Sequence, residues 1–545
     1  MTDRMAALSD VVTSEERRRA YLSAGLWDGT TLAGQVAGHA VTRPDDVAVV
    51  DAAGRHDWAG LAGDAGALAA ALAGHGVRAG TAVSVQLPNR YEAAVAAVAI
   101  QSLGAVINPL LPNYRVRELT AVFETARPVA IITPAEYRGF DHRSLVSEVA
   151  RSTGIEPFHV VVDGAAPSEG AEFWSLAAEK QSVAGGSARA VSELIFTSGT
   201  EARPKAIMHT EQTTNFSVRV AYTDLALTDS DVVWMPSPVG HSTGFNYGIR
   251  FALYHGLPLV LQDGWDPVVA VELIDAHRCS YTLAATTFLQ DLIRTAEDAG
   301  RKLPSLRCFG CGGAPVPPAL VDAAAEREIG VLRLYGSTEV LVGTWNRPWS
   351  PMDKKRLTDG IGMSDVEIQV RDDHSIALEP GVPGELFVRG PNTCVGFFSD
   401  AERTTATFGA DGWVRSGDLV SVDGDGYLTV VGRKKEIIIR GGLNITPREV
   451  EGLIAEFPEV ERVAVVGLPD ERLGERMCAC VVLVPGFSLD LEVTVERLQA
   501  AGLATYKLPE RLEVLAELPM TASGKIQKHE IVRSLGRTTG VAGGR

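Results

Sequence analysis

From Val47 to about Ala285 the chain repeats one pattern, a short apolar run, a turn, and an alanine-rich stretch with helical spacing. VAVVD (47–51), AVSVQLPN (82–89), VAIITPA (129–135), FHVVVDG (158–164), DVVWMPSP (231–238), LPLVLQDG (257–264) and CSYTLAA (279–285) read as strands. LAGDAGALAAALAGHGV (61–77) and YEAAVAAVAIQSLGAV (91–106) read as helices that cover a sheet. Strands separated by helices pair in parallel, and parallel sheets are buried on both faces. This constrains the first half of the chain to an α/β fold with helix-covered, parallel-rich sheets.

The texture changes near residue 355. VEIQVRDD (366–373), GELFVRGP (384–391) and GYLTVVGR (426–433) predict a small β-rich subdomain. A charged break, GRKKE (432–436), follows, and the remainder mixes strands (EIIIRGG, VERVAVVGLP, CACVVLVP) with helices (PREVEGLIAEF, LEVTVERLQAAG). The tail RTTGVAGGR (537–545) reads as disordered. The expected division is a large unit over 1–432, a junction at 433–435 and a small mobile α+β unit over 436–545. A chain of 545 residues is too long for a single core, which agrees.

Composition excludes several classes. With 51 basic and 68 acidic residues the net charge is −17, which argues against non-specific binding to nucleic acid or anionic membranes. No apolar run is long enough to span a membrane, and the N-terminus lacks the apolar core of a signal peptide. Six cysteines in so long a chain make no disulfide framework, and the expected compartment is the cytoplasm. Cys308 and Cys311 form a lone CxxC without partners, read as small apolar residues of a strand and turn.

Four stretches carry chemistry. In LIFTSGTEARPKAIMHT (194–210) a strand delivers Thr197, Ser198, Gly199 and Thr200, with Lys205 just beyond. Hydroxyls and backbone N–H groups beside a glycine converge on an anion, and a lysine reaches its outer oxygens. The implied ligand is a polyphosphate, although the order is not that of a Walker loop. In LRLYGSTEV (332–340) a strand ends on Tyr335, Gly336, Ser337, Thr338 and Glu339, where ligands of open α/β sheets bind. An aromatic ring there can stack on a base, a hydroxyl can meet phosphate, and a carboxylate can hold Mg²⁺. GWVRSGDLV places Asp418 in a turn, where its carboxylate can accept from sugar hydroxyls. PMTASGKIQK carries Lys525 in a polar loop.

Together these resemble the motifs of the adenylate-forming enzymes, the superfamily of acyl-CoA synthetases, peptide-synthetase adenylation domains and luciferases. The first is similar to TSGTTGxPKG but departs at Glu201, Ala202 and Ala206, and Lys528 stands where arginine is common in the last. By that resemblance Thr197, Ser198, Gly199, Thr200 and Lys205 hold phosphates, and Gly312, Gly313 and Ala314 lie against adenine. Tyr335 stacks on the base, Gly336 and Ser337 flank it, Thr338 contacts the α-phosphate and Glu339 holds Mg²⁺. Asp418 binds the ribose, assisted by Arg433. Lys525 bridges carboxylate and α-phosphate, Lys435 is the hinge, and Gly441 and Gly442 line a thiol tunnel.

The resemblance implies an acid–CoA ligase: ATP and a carboxylic acid give an acyl-AMP and pyrophosphate, and CoA then takes the acyl group. His241, in MPSPVGHSTGF, is placed at the acyl pocket, with Phe245, Thr286, Thr287, Val340 and Leu341 as further lining. Gly244, Gly310, Gly312 and Gly336 are expected to leave it roomy. No acid follows His241 through Tyr247, which argues against an amino-acid substrate and for a bulky apolar, aryl, alicyclic, terpenoid-like or fatty acid. A carrier protein in place of CoA, a luciferase-like oxygenase and a nucleotide-binding regulator stay open. So does oligomeric state, a homodimer included.

Overall fold

The computed structural model describes residues 12–164, 170–176, 186–197, 205–440, 443–470, 472–521 and 525–539. The alternating pattern builds two large sheets. One has nine strands, and its middle strands run parallel: Val331–Ser337, Cys308–Gly312, Tyr281–Ala284, Val233–Met235, Leu259–Leu261 and Val47–Asp51. Antiparallel strands close both of its edges. The other has seven strands and is parallel apart from the pair Val191–Thr197 with Lys205–Thr210.

One hydrophobic core takes side chains from both sheets and from the helices around them. Helix Tyr91–Ser102 lies inside it, and every residue but Glu92 is buried. A helix apolar all round belongs in an interior, and alanine keeps this one thin enough to fit. At its start Tyr91 donates its hydroxyl to Asp64 (2.8 Å) and stacks on His56.

The change of texture near residue 355 marks an antiparallel four-stranded sheet, Glu367–Arg371, Gly384–Arg389, Val414–Val422 and Leu428–Arg433. A 3₁₀ turn, Lys434–Glu436, leads from it into a five-stranded sheet built around the antiparallel pair Val460–Asp470 and Gly474–Leu483. That sheet has hydrophobic clusters of its own on its two sides. Two elements here were not foreseen. Strand Arg511–Val514 adds parallel to Gly474–Leu483, and helix Lys528–Thr539 runs into what was expected to be a disordered tail. No described helix is long and apolar enough to cross a membrane.

Candidate active site

The motif around Tyr335 folds as a tight hairpin. Ser337 pairs with Leu341, so Thr338, Glu339 and Val340 form a three-residue loop. Leu341 closes the loop in the left-handed region at φ 54°, the residue such loops require. A Cβ on Gly336 would stand 2.3 Å from the Leu341 carbonyl oxygen, so glycine is demanded by the return of the chain. The loop is anchored from behind. His209 Nε2 donates to the Thr338 carbonyl at 2.7 Å, and the Cys394 N–H donates to the Glu339 carbonyl at 2.8 Å.

The phosphate motif lies beside it. Thr197 and Lys205 stand opposite each other at the end of an antiparallel pair. Ser198, Gly199, Thr200, Glu201 and Ala202 lie outside the described residues. Lys205 Nζ sits 3.6 Å from Glu339 Oε1, a partly exposed pair of opposite charges facing the same space. Among the described residues no group of three or more His, Cys, Asp or Glu is gathered around a metal position. One carboxylate, completed by phosphate oxygens and water, is the donor set Mg²⁺ accepts when it arrives with a nucleotide, so Glu339 fits the ion in that form.

Asp418 was expected in a turn. It lies instead inside strand Val414–Val422, just after Gly417 at φ 74° and just before an irregularity in the pairing. The kink aims its carboxylate at two donors. The Tyr335 hydroxyl donates to Oδ2 at 2.7 Å, and Arg433 Nε donates to Oδ1 at 2.8 Å. Tyr335 is buried, and desolvation followed by the Asp418 charge holds its hydroxyl protonated well above the ordinary tyrosine range. The Asp418 charge likewise raises Arg433.

Beside these groups opens a cleft that is continuous with solvent. Gly312, Gly313, Ala314, Gly336, Ser337 and Thr338 line one side, and His241, Leu341 and Lys525 line the rest together with residues the sequence did not single out. Those include Ser237, Ser242, Thr243, Tyr247, Leu283 and Phe288. Lys525 therefore comes from the C-terminal sheet's side of the chain into the cleft. A Cβ on Gly313 would lie 3.3 Å from its Cε. The cleft walls, and after them Arg433, hold the Lys525 ammonium below the usual lysine range, opposed by Asp418 and Glu339. His241 caps the short turn Ser242–Gly244 by accepting the Thr243 N–H at Nδ1. Desolvation, and then Lys525, push His241 down to about 4, so it is neutral near pH 7.

The rest of the expected acyl lining is elsewhere. Phe245 faces a separate small apolar void with Val85, Ile107 and Ile249. Thr286, Thr287, Gly310 and Val340 are not among the residues that line the cleft. The glycines do not create its room either. Cβ atoms on Gly244, Gly310 and Gly312 would come within 2.3 Å of the Pro238 oxygen, 2.8 Å of Trp345 Cζ3 and 2.4 Å of the Leu334 oxygen. They admit backbone and an indole ring into space already filled. Cys308 and Cys311 are fully buried, with thiols pushed up to about 11 and about 12 by burial, as expected of packing residues. Gly441 and Gly442 lie outside the described residues, and Lys435 sits in the 3₁₀ turn between the two smaller sheets.

The cleft thus gathers Gly312, Gly313, Ala314, Ser337, Thr338 and Lys525 beside the Asp418 and Glu339 groups. The family model for AMP-binding enzymes matches residues 36–398, and that for the AMP-binding enzyme C-terminal domain matches 449–525. The chain belongs to this family. Within it the chain falls in the acid–CoA ligase branch. It is 37% identical over 521 residues to a medium-chain fatty-acid–CoA ligase of Escherichia coli K12, covering 94% of this chain and 92% of the relative. It is 31% identical over 552 residues to a salicyl-AMP ligase / salicyl-S-ArCP synthetase of Mycobacterium tuberculosis, covering 96% and 94%. Among solved structures it resembles the amide bond synthetase McbA of Marinactinospora thermotolerans, with TM-score 0.81, 27% identity, and 92% and 99% of the two chains covered.

Proposed function

We propose that the protein activates a monocarboxylic acid with an apolar body as its acyl-AMP and then transfers the acyl group to CoA. The observation that carries the reading is the lining of the cleft, which among the described residues contains one lysine, Lys525, and no carboxylate. An acid bearing an ammonium would find no counter-charge there, and a second carboxylate would have to be buried against leucine, alanine and phenylalanine.

In the adenylation step both reactants are anions, so the site must align them and offset their repulsion. Lys525 bridges the acid carboxylate and the α-phosphate, and Lys205 takes the outer phosphates. Asp418, fixed by Tyr335 and Arg433, offers acceptor oxygens to ribose hydroxyls. Glu339 would hold Mg²⁺ with the phosphates, and the ion would add further positive charge. Neutral His241 lines the path without competing for the carboxylate. Lys435 serves as the hinge about which a small unit beginning near residue 436 turns to admit the thiol, past Gly441 and Gly442.

A panel of fatty, aryl and alicyclic acids, assayed for pyrophosphate release with CoA and with a carrier protein offered separately, tests this. Medium-sized apolar acids with CoA should give turnover. Turnover restricted to amino acids or dicarboxylates, or thioester formed only on the carrier, would reject it.

A further inference from the structure

Behind the cleft lies a charged cluster that none of the motifs accounts for. Glu193, Arg250, His209 and Asn246 are all fully buried, and Glu211 nearly so. Arg250 is its centre. Its Nε and Nη2 donate to Glu193 Oε1 at 3.0 and 2.5 Å, and its Nη1 donates to Asn215 Oδ1 at 2.9 Å and lies 3.7 Å from Glu211 Oε2. Asn246 donates to Glu193 Oε2 at 3.0 Å and accepts from Arg250 Nε at 3.1 Å. A buried charge survives only when it is paired and hydrogen-bonded, and this one is.

The cluster has two ends, and each reaches a different wall of the cleft. Asn246 and Arg250 sit four residues apart on a π-helical turn, Phe245–Arg250, that directly follows the segment bearing His241, Ser242 and Thr243. Such turns are rare and concentrate at functional sites. From there Asn246 Nδ2 reaches the cleft-lining Ser242 Oγ at 3.5 Å. At the other end Glu193 stands opposite His209 in the strand register, and its charge acts on the imidazole through space rather than through a hydrogen bond. The Thr338 carbonyl can only accept, so His209 Nε2 donates to it at 2.7 Å, while Nδ1 lies 3.0 Å from Thr213 Oγ1. Thr338 also lines the cleft.

We propose that Glu193, Asn246, Arg250 and His209 are positioning residues for the reaction. One buried cluster, hydrogen-bonded from Ser242 through Asn246 and Arg250 to Glu193 and joined to His209 by strand register and charge, holds the acid-facing wall at Ser242 and the phosphate-facing loop at Thr338 in fixed relation. This rests on the proposed function. It adds that the two substrates are brought into register by side chains that touch neither.

The test is steady-state pyrophosphate release from the full chain, with acid and ATP varied in turn and the melting temperature recorded beside it. Asn246→Leu cuts the link to Ser242 and should raise KM for the acid roughly tenfold, leaving KM for ATP within about twofold. His209→Leu leaves the Thr338 carbonyl unpartnered. It should lower kcat and raise KM for ATP, each by roughly tenfold, with KM for the acid within about twofold. His209→Gln, which keeps an N–H, should recover most of that loss. Because Arg250→Met alone strands the buried carboxylates of Glu193 and Glu211, Glu193→Met and Glu211→Gln are combined with Arg250→Met as the hub variant, which should show both defects together. Equal changes in kcat and both KM values in the two single variants, or wild-type kinetics with only a lowered melting temperature, would overturn the positioning role. A wild-type protein that releases no pyrophosphate with any acid would defeat the proposed function, and this inference with it.

Discussion

The two halves of the cleft are built on different principles. On the nucleotide side polar groups hold one another. Tyr335 and Arg433 converge on Asp418, Lys205 faces Glu339, and the Thr338 carbonyl is tied to His209. On the proposed acid side, beyond the hydroxyls of Ser237, Ser242 and Thr243, the lining is shape. Leu283, Phe288, Leu341 and Val342 offer surface, and Phe288 is braced edge-on against Trp265 with ring centroids 4.5 Å apart. The Tyr247 hydroxyl is spent inward, exchanging a bond with Ser217 and accepting the Val342 N–H. The difference teaches that a constant ligand is met with fixed hydrogen bonds, which demand particular residue types. A variable one is met with volume, which many residue types can supply.

The sharpest way to break this contrast is Lys525, the residue proposed to serve both halves. Lys525→Ala should slow acyl-AMP formation by about 10²- to 10³-fold, while acyl-AMP supplied with CoA is still converted to thioester. Equal loss in both half-reactions, followed by pyrophosphate and thioester assays, would remove Lys525 from adenylation. Next in size is the nucleotide side. Asp418→Ala removes a charged acceptor and should raise KM for ATP roughly 10- to 100-fold, with the ranking of acids unchanged in the same panel. On the acid side Phe288→Ala should change relative kcat/KM between small and bulky acids by roughly tenfold, with KM for ATP steady. If ATP binding moves instead, the two halves are not separable.

The smallest expected effect concerns pH. His241 is neutral in the fold down to about pH 4, whereas an unfolded histidine takes its proton near 6.5. The unfolded chain therefore binds the extra proton first. The group's contribution to stability is complete above about 6.5 and is lost as pH falls toward 4, at no more than about 1.4 kcal/mol per pH unit. His241→Gln should flatten that part of the stability curve in urea titrations at successive pH values. An unchanged slope would mean that His241 takes its proton at the same pH in the folded and unfolded chain.

The same contrast explains what could be read from the chain. Strand–helix alternation gave away the parallel sheets because burial on both faces leaves continuous apolar runs. Thr338, Glu339, Asp418 and Lys525 stood out because phosphate, metal and sugar chemistry permits few substitutes. The acid wall did not, since nothing marks Phe288 or Leu283 as different from core residues until the backbone places them. Gly310 and Gly312 misled for a related reason. A missing side chain reads as empty space, and here Trp345 and the Leu334 carbonyl fill it. Strand Arg511–Val514 was hidden because only its pairing with Gly474–Leu483, not an apolar run, makes it a strand. Asp418 was placed in a turn because a glycine before an aspartate usually marks one, whereas here Gly417 kinks a continuous strand.

Helix Tyr91–Ser102, enclosed on all sides, bears on how such a protein can change over generations. Apart from Ala93, which borders the small apolar void at Phe245, its alanines are packed on every side, so a larger residue at those positions would wedge the interior apart. Variation in the acids accepted cannot come from loosening this scaffold. It has to come from exchanges at a few cleft-facing positions such as Phe288 and Leu341, each made without touching the rest of the molecule. A rigid interior thereby separates the inheritance of the fold from the inheritance of substrate range, and lets one drift while the other stays put.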